Sequence, residues 1–270
     1  MLLWAVRYIS TTANPDAMEI TLFKKKDYKE ARRLYTEFKV SRNGKICIAI
    51  GGDGTFVRAA KSYSGPILPI RSEEKGSIGY YSDVSLKDID VVIRKLKAGK
   101  YVVERLENKI ELSYNGKHYF AVNEALMHNL LEEVSFKIYE VRGGKRIAVY
   151  PYTMSGDGIL ITGPIGSTAY NKSAGGPILL VPNVLCLTLL NVDGPYRNPI
   201  VIDTSKTIEI EVVKYHATLR YDGAEIAKLK PGDTFRVRIS NKELKVVRIE
   251  GMAEPLSQKL DRIIRSRMVY

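Results

Sequence analysis

Residues 46–60 read Ile-Cys-Ile-Ala-Ile-Gly-Gly-Asp-Gly-Thr-Phe-Val-Arg-Ala-Ala, and no other stretch narrows the fold so far. The first five residues are apolar and rich in β-branched side chains, so they predict a strand buried on both faces. Gly51 and Gly52 stop that strand, and from Thr55 the sequence is compatible with a helix. Glycines at a strand-to-helix turn let a phosphate approach the backbone, because no Cβ stands in its way. The N–H groups of the following helix then face that anion with the positive end of the helix dipole. Asp53, inside the turn, would repel phosphate unless it acts on a cation or a hydroxyl proton. The turn therefore reads as a phosphoryl-transfer site, although an ordinary tight turn can carry the same residues.

The flanking sequence extends a βαβ pattern. Residues 2–9 are a first strand candidate. After a loop, Asp27 is placed to cap a helix with Tyr28, Ala31, Leu34, Tyr35 and Phe38 at helical spacing. A short helix is predicted over 55–63 and a strand over 67–70. Ser85 caps a second amphipathic helix carrying Leu86, Ile89, Val92, Ile93 and Leu96, which Gly99 closes. Alternating strands and helices predict an α/β nucleotide-binding domain over residues 1–98.

Beyond Gly99 the pattern becomes a series of short strands: 101–106, 109–114, 117–122, 134–139, 146–150, 200–202, 207–213, 218–221, 234–239 and 244–249. Asn115-Gly116, Gly143-Gly144, Asp222-Gly223 and Pro231-Gly232-Asp233 are turn signals between them. An all-β domain, a β-sandwich, is expected over 99–254. The last stretch, 255–270, has Leu256, Leu260, Ile263, Ile264 and Met268 on one helical stripe, and is expected to return to the first domain.

The net charge of +12 favours anionic partners, yet no compact Lys/Arg block with interleaved aromatics marks a nucleic-acid binder. Cys47 and Cys186 lie in apolar runs and read as buried thiols, and His118, His128 and His216 share no metal-ligand spacing. No secretion signal or membrane-length apolar span is visible, so no membrane partner and a cytoplasmic location are expected.

Three further clusters carry chemistry. Asn123-Glu124 ends a strand with an amide and a carboxylate suited to ribose hydroxyls or a base edge; a plain turn pair is the alternative. Asp157 sits between Gly156 and Gly158, again an acid in a glycine turn. The loop from Thr162 to Pro177 is rich in Gly, Ser and Thr and lies between apolar strands, the setting of a binding loop rather than a linker.

Taken together, Gly51-Gly52-Asp53-Gly54-Thr55, Asn123-Glu124, Asp157-Gly158 and Gly166-Ser167-Thr168-Ala169-Tyr170 with Ser173 to Pro177 resemble the NAD kinase family, in its archaeal-like form. The likeness spans nearly the whole chain. It implies phosphorylation of NAD to NADP by ATP or polyphosphate with Mg²⁺, an NAD site in the cleft between the domains, and a homodimer or homotetramer. In such an oligomer a neighbouring subunit completes the site. Residue by residue, the resemblance implies Asp53 as general base for the adenosine ribose 2′-hydroxyl. Gly52, Gly54, Thr55 and Arg58 would lie on the phosphates, and Asn123 and Glu124 on ribose hydroxyls. Asp157, Ser167, Thr168, Ala169, Tyr170, Ser173 and Asp222 would complete the NAD pocket, with Tyr80 and Tyr81 stacking on a base. The Mg²⁺ is expected through the phosphates, with no side-chain ligand assigned.

The chain departs from the family's pattern at Ser72 and Glu74, where Gly and Asn are usual, and at Ile165, where Thr is usual. Two other readings share the first motif: a diacylglycerol-type lipid kinase, and a nucleotide-binding regulatory protein without turnover.

Overall fold

The protein is seen as a computed structural model that describes residues 18–74, 79–194, 197–255, 257, 258 and 261. The strand expected over 2–9 and the helical stripe of 255–270 fall largely or wholly outside them. The chain divides into two compact units, Met1–Leu106 with Leu244–Tyr270, and Glu107–Glu243. The sequence reading places these boundaries at 98/99 and 254/255. The difference arises because two long strands each contribute residues to both units. No helix among the described residues is long and apolar enough to cross a membrane.

In the first unit the described elements run β1 (Glu19–Lys24), α1 (Arg33–Glu37), β2 (Lys39–Val40), β3 (Ile46–Gly51), α2 (Asp53–Ser62), β4 (Ile67–Arg71), β5 (Val84–Ser85) and α3 (Ile89–Lys97). β1 lies within the stretch read as a loop; its Glu19-Ile20-Thr21-Leu22 alternation is only four residues long, and Ile20 alone in it is fully buried. The sheet is parallel in the order β2, β1, β3, β4, with β5 beside β4. Every residue of β3 is buried, as its uninterrupted apolar run requires. Asp27 does not cap a helix; its carboxylate pairs with Lys24 and Arg32 instead. Tyr28, Ala31, Leu34 and Phe38 are buried as their spacing predicts, while Tyr35 is exposed. Ser85 forms a full capping box with Asp88, and Gly99 ends the α3 region at φ +67°.

The second unit follows with β6 (Tyr101–Tyr114), β7 (Lys117–Ala121), β8 (Glu124–His128), β9 (Val134–Arg142), β10 (Lys145–Ala148), β11 (Met154–Gly156) and β12 (Gly158–Thr162). After the short α4 (Tyr170–Ser173) come β13 (Val184–Leu190), β14 (Ile200–Asp203), β15 (Thr207–Lys214), β16 (Ala217–Tyr221), β17 (Ala224–Leu229) and β18 (Thr234–Ile249). β6 and β18 are the two strands shared between the units, and each is continuous where the sequence suggests two strands. One sheet runs β14, β13, β12, β8, β16, β17, entirely antiparallel. The other is built on β10, β9, β15 and the first half of β18. Phe136, Ile138, Ile210 and Phe235 from one face Met127, Ile159, Ile161 and Leu219 from the other in a single apolar core. Apolar burial of this kind contributes about 25 cal/mol per Å² and holds the sandwich closed. Asn115 and Gly116 both take positive φ, the type I′ turn their sequence predicts.

Candidate active site

In the first unit the chemistry gathers at the carboxyl end of β3. Gly51 has φ +154°, and a Cβ there would strike the Thr55 hydroxyl, so glycine is required. Asp53 is the first residue of α2, and its Oδ1 accepts the Tyr81 N–H at 3.3 Å. Gly54 lies in the helix without a positive φ, and a Cβ there would meet nothing within 4 Å. Thr55 is buried, with Oγ1 accepting from Arg58 Nη2 at 3.3 Å, so both residues brace the turn.

The Tyr80-Tyr81 segment closes over this turn. Tyr81 is 6% exposed and its ring stacks on Phe56 at 4.4 Å, which spends it in packing and removes it as a base-stacking surface. Its carbonyl accepts from Arg248 Nη1 at 2.6 Å, and Arg248 also pairs with Asp83 and Glu104. Tyr80 is half-buried, and its hydroxyl titrates above the usual range because of burial, opposed by Arg248 and assisted by the charge of Asp53.

In the second unit a turn and a loop meet. Asp222, at φ +44°, accepts N–H bonds from Val122, Asn123 and Glu124 at 2.8, 2.7 and 3.3 Å. Its carboxylate thus holds the Asn123-Glu124 turn from a hundred residues away. The Asn123 carbonyl accepts from Thr162 Oγ1 at 2.6 Å, and a Cβ on Gly166 would overlap that carbonyl. Ser167 is fully buried; its hydroxyl donates to Pro164 O and accepts from Leu179 N, so it shapes the loop from within. Asn171 does the same, bonded to Pro177 O and Thr188 Oγ1. Thr168 and Ala169 are half-buried, and Tyr170 and Ser173 stand at the surface.

Beneath this loop lies Glu107. Its Oε2 accepts the Ile165 N–H at 3.3 Å, and both carboxylate oxygens lie close to the position a Cβ on Gly163 would occupy. Oε1 is buried without a hydrogen-bond partner among the described residues. Burial pushes the carboxyl up to about 7, opposed only by the Ile165 N–H.

The structure brings Asn123, Glu124, Asp222 and the 162–170 loop together, but not Asp157. In the antiparallel ladder Thr162 faces Glu124 while Gly158 faces His128. Asp157 is therefore at the far end of these strands, roughly 17 Å away at about 3.4 Å per residue. There its Oδ2 accepts from Asn191 Nδ2 at 2.6 Å.

Residues 5–101 match the model of the ATP-NAD kinase N-terminal domain, and residues 145–249 that of the ATP-NAD kinase C-terminal domain. The NAD kinase of Picrophilus torridus is 32% identical over 81% of this chain and 79% of its own. The chain belongs to the NAD kinase family. The NAD kinase of Thermoplasma acidophilum is 33% identical over 73% of this chain and 71% of its own. Among solved structures, yeast NADH kinase complexed with NADH shares the fold at TM-score 0.78 and 16% identity, over 98% of this chain and 92% of that one. An NAD kinase from Archaeoglobus fulgidus in complex with ATP gives 0.71 at 20% identity, over 91% and 99%.

Within this NAD kinase fold, sequence motifs leave out Thr162, Asn171, Arg248 and Glu107. Thr162 and Asn171 lie inside the quoted loop, but nothing in the sequence distinguishes a hydroxyl or amide that braces a loop from one that binds a ligand. Arg248 and Glu107 lie in strands, where isolated charges read as solvent-facing.

Proposed function

We propose that this chain is an NAD kinase that transfers the γ-phosphoryl group of ATP to the adenosine ribose 2′-hydroxyl of NAD, giving NADP and ADP. The observation that carries the site assignment is the Gly51-to-Thr55 turn. Asp53 stands there with one oxygen oriented by the Tyr81 N–H, beside a glycine that the chain's own packing does not require. Glycine inside a helix costs about 1 kcal/mol relative to alanine. Close approach of a phosphate accounts for its presence at position 54.

In this reading Asp53 accepts the 2′-hydroxyl proton as the ribose oxygen bonds to phosphorus and the bond to ADP breaks. Gly52, Gly54 and the first N–H groups of α2 receive phosphate oxygens, and Arg58 adds positive charge on the same helix. Asn123 and Glu124, held by Asp222, bind ribose hydroxyls, and Thr168, Ala169, Tyr170 and Ser173 line the dinucleotide. Among the described residues no three His, Cys, Asp or Glu cluster as a metal site. A magnesium ion would be held by the donor's phosphates, whose charge it neutralises. Inorganic polyphosphate is the alternative donor, and the reaction belongs in the cytoplasm.

Asp157 fits this reading as the contribution of a second copy. Its position at the opposite end of β12 supports a homo-oligomer, dimer or tetramer, in which the neighbouring subunit's turn completes the site.

The deciding experiment is Asp53→Asn, which keeps shape and removes basicity. Turnover should fall roughly 10²–10⁴-fold, with NAD affinity and melting temperature nearly unchanged. A variant keeping more than about a tenth of the wild-type rate would remove Asp53 as the base. Wild-type protein given ATP or polyphosphate, magnesium and NAD, NADH or diacylglycerol tests the reaction itself. Product from diacylglycerol alone, or none from any acceptor, overturns it.

A further inference from the structure

Arg71 ends β4 and belongs to none of the motifs above. In the parallel ladder it pairs with Gly51 on one side and Ser85 on the other. It therefore stands one strand spacing, about 4.8 Å, from the glycine that opens the Asp53 turn. Parallel α/β sheets take their ligands at these carboxyl strand ends.

The Arg71 side chain is held loosely. Nε and Nη2 both reach a single carboxylate oxygen, Glu73 Oε1, at 3.3 Å. The other Glu73 oxygen pairs with Lys87 Nζ at 3.3 Å, and Glu73 itself sits at φ +59°, unusual for a non-glycine residue. Nη1 is buried and has no acceptor among the described residues. The side-chain stem lies against Gly79, where a Cβ would come within 3.1 Å of Cδ. Two residues later, Tyr81 gives its N–H to Asp53. One short turn thus touches Arg71 at one end and Asp53 at the other.

A largely buried guanidinium with an idle nitrogen is unfavourable unless something anionic engages it. A planar fork is also the side chain best matched to phosphate oxygens. We propose that Arg71 binds the polyphosphate chain of the phosphoryl donor beside the Gly51-to-Gly54 turn, and so sets donor affinity. This rests on the NAD kinase reading. The donor's phosphates, rather than the NAD pyrophosphate, are its partner because the group that Asp53 serves must receive phosphorus at this turn. The ribose-binding cluster, in contrast, is built in the other unit. The shared chemistry is a run of phosphate oxyanions, whether from a nucleoside triphosphate or from inorganic polyphosphate.

The test compares wild type with Arg71→Met and Arg71→Lys. Steady-state kinetics are run with ATP and with inorganic tripolyphosphate, alongside calorimetric binding of a non-hydrolysable ATP analogue. With Met, the KM of whichever donor the wild type uses should rise roughly tenfold or more, and analogue affinity should fall by a similar factor. The KM for NAD should stay within about twofold, and Lys should restore part of the loss because it returns the charge without the fork. Melting temperature should hold or rise, since the replaced cation is poorly paired. An unchanged donor KM, a larger effect on NAD than on the donor, or a lower melting temperature with both KM values raised together would each overturn the proposal. Wild type that makes no NADP would instead remove the reading on which it rests.

Discussion

Replacing Glu107 by Gln isolates the energetic consequence of burying one carboxyl. In the folded chain this group titrates at about 7, against 4.5 for an ordinary glutamate, because burial disfavours its charged form. Between those two values the folded protein holds a proton that the unfolded chain has released. Stability therefore falls as pH rises through this window, and the loss is complete above pH 7. The gap from 4.5 to about 7, at about 1.36 kcal/mol per pH unit, comes to about 3 kcal/mol. Gln cannot ionise, keeps an oxygen for the Ile165 N–H, and places its NH₂ where Oε1 already has no partner among the described residues. Glu107→Gln should match or slightly trail wild type near pH 4. Above pH 7 it should be more stable by up to about 3 kcal/mol, or on the order of 6–12 °C in melting temperature. Scanning calorimetry of both proteins from pH 4 to 8.5 at constant ionic strength reads the difference, in which the exposed carboxylates common to both cancel. Two parallel curves, with a gap that does not change with pH, would refute a buried, proton-holding Glu107.

Asn123→Ala should weaken NAD binding by roughly 1–3 kcal/mol, about 5- to 150-fold, because a buried ribose hydroxyl loses its partner. Its bonds to Thr162 and Asp222 use main-chain atoms and survive the substitution. Unchanged calorimetric affinity would return Asn123 to a turn residue. If Asp157 acts on a neighbouring subunit, mixing inactive Asp53→Asn and Asp157→Ala chains under subunit exchange should regenerate activity. Activity that stays at the sum of the two parents would place Asp157 outside the site or within a single chain.

What the sequence determined by itself was local. β3 and the turn into α2 are legible because an apolar β-branched run, two glycines and a helix-compatible segment follow one another directly. The Ser85–Asp88 capping box and the Asn115-Gly116 turn are set by residues at most three apart. The motif residues also identify the family, since their order along the chain carries that information. Tertiary structure alone decided who meets whom. Asp222 grips the Asn123-Glu124 turn across about a hundred residues, and Thr162 and Gly166 close on the same carbonyl. Antiparallel register puts Asp157 at the opposite end of β12, though its glycine turn looks like that of Asp53. Tyr81 reads as a binding aromatic but is consumed by stacking on Phe56. Arg71 and Glu107 look like ordinary strand charges until their neighbours are known. Helix, turn and cap preferences arise within a few bonds of each residue. Burial, hydrogen-bond partners and pKa arise from atoms that only folding brings near.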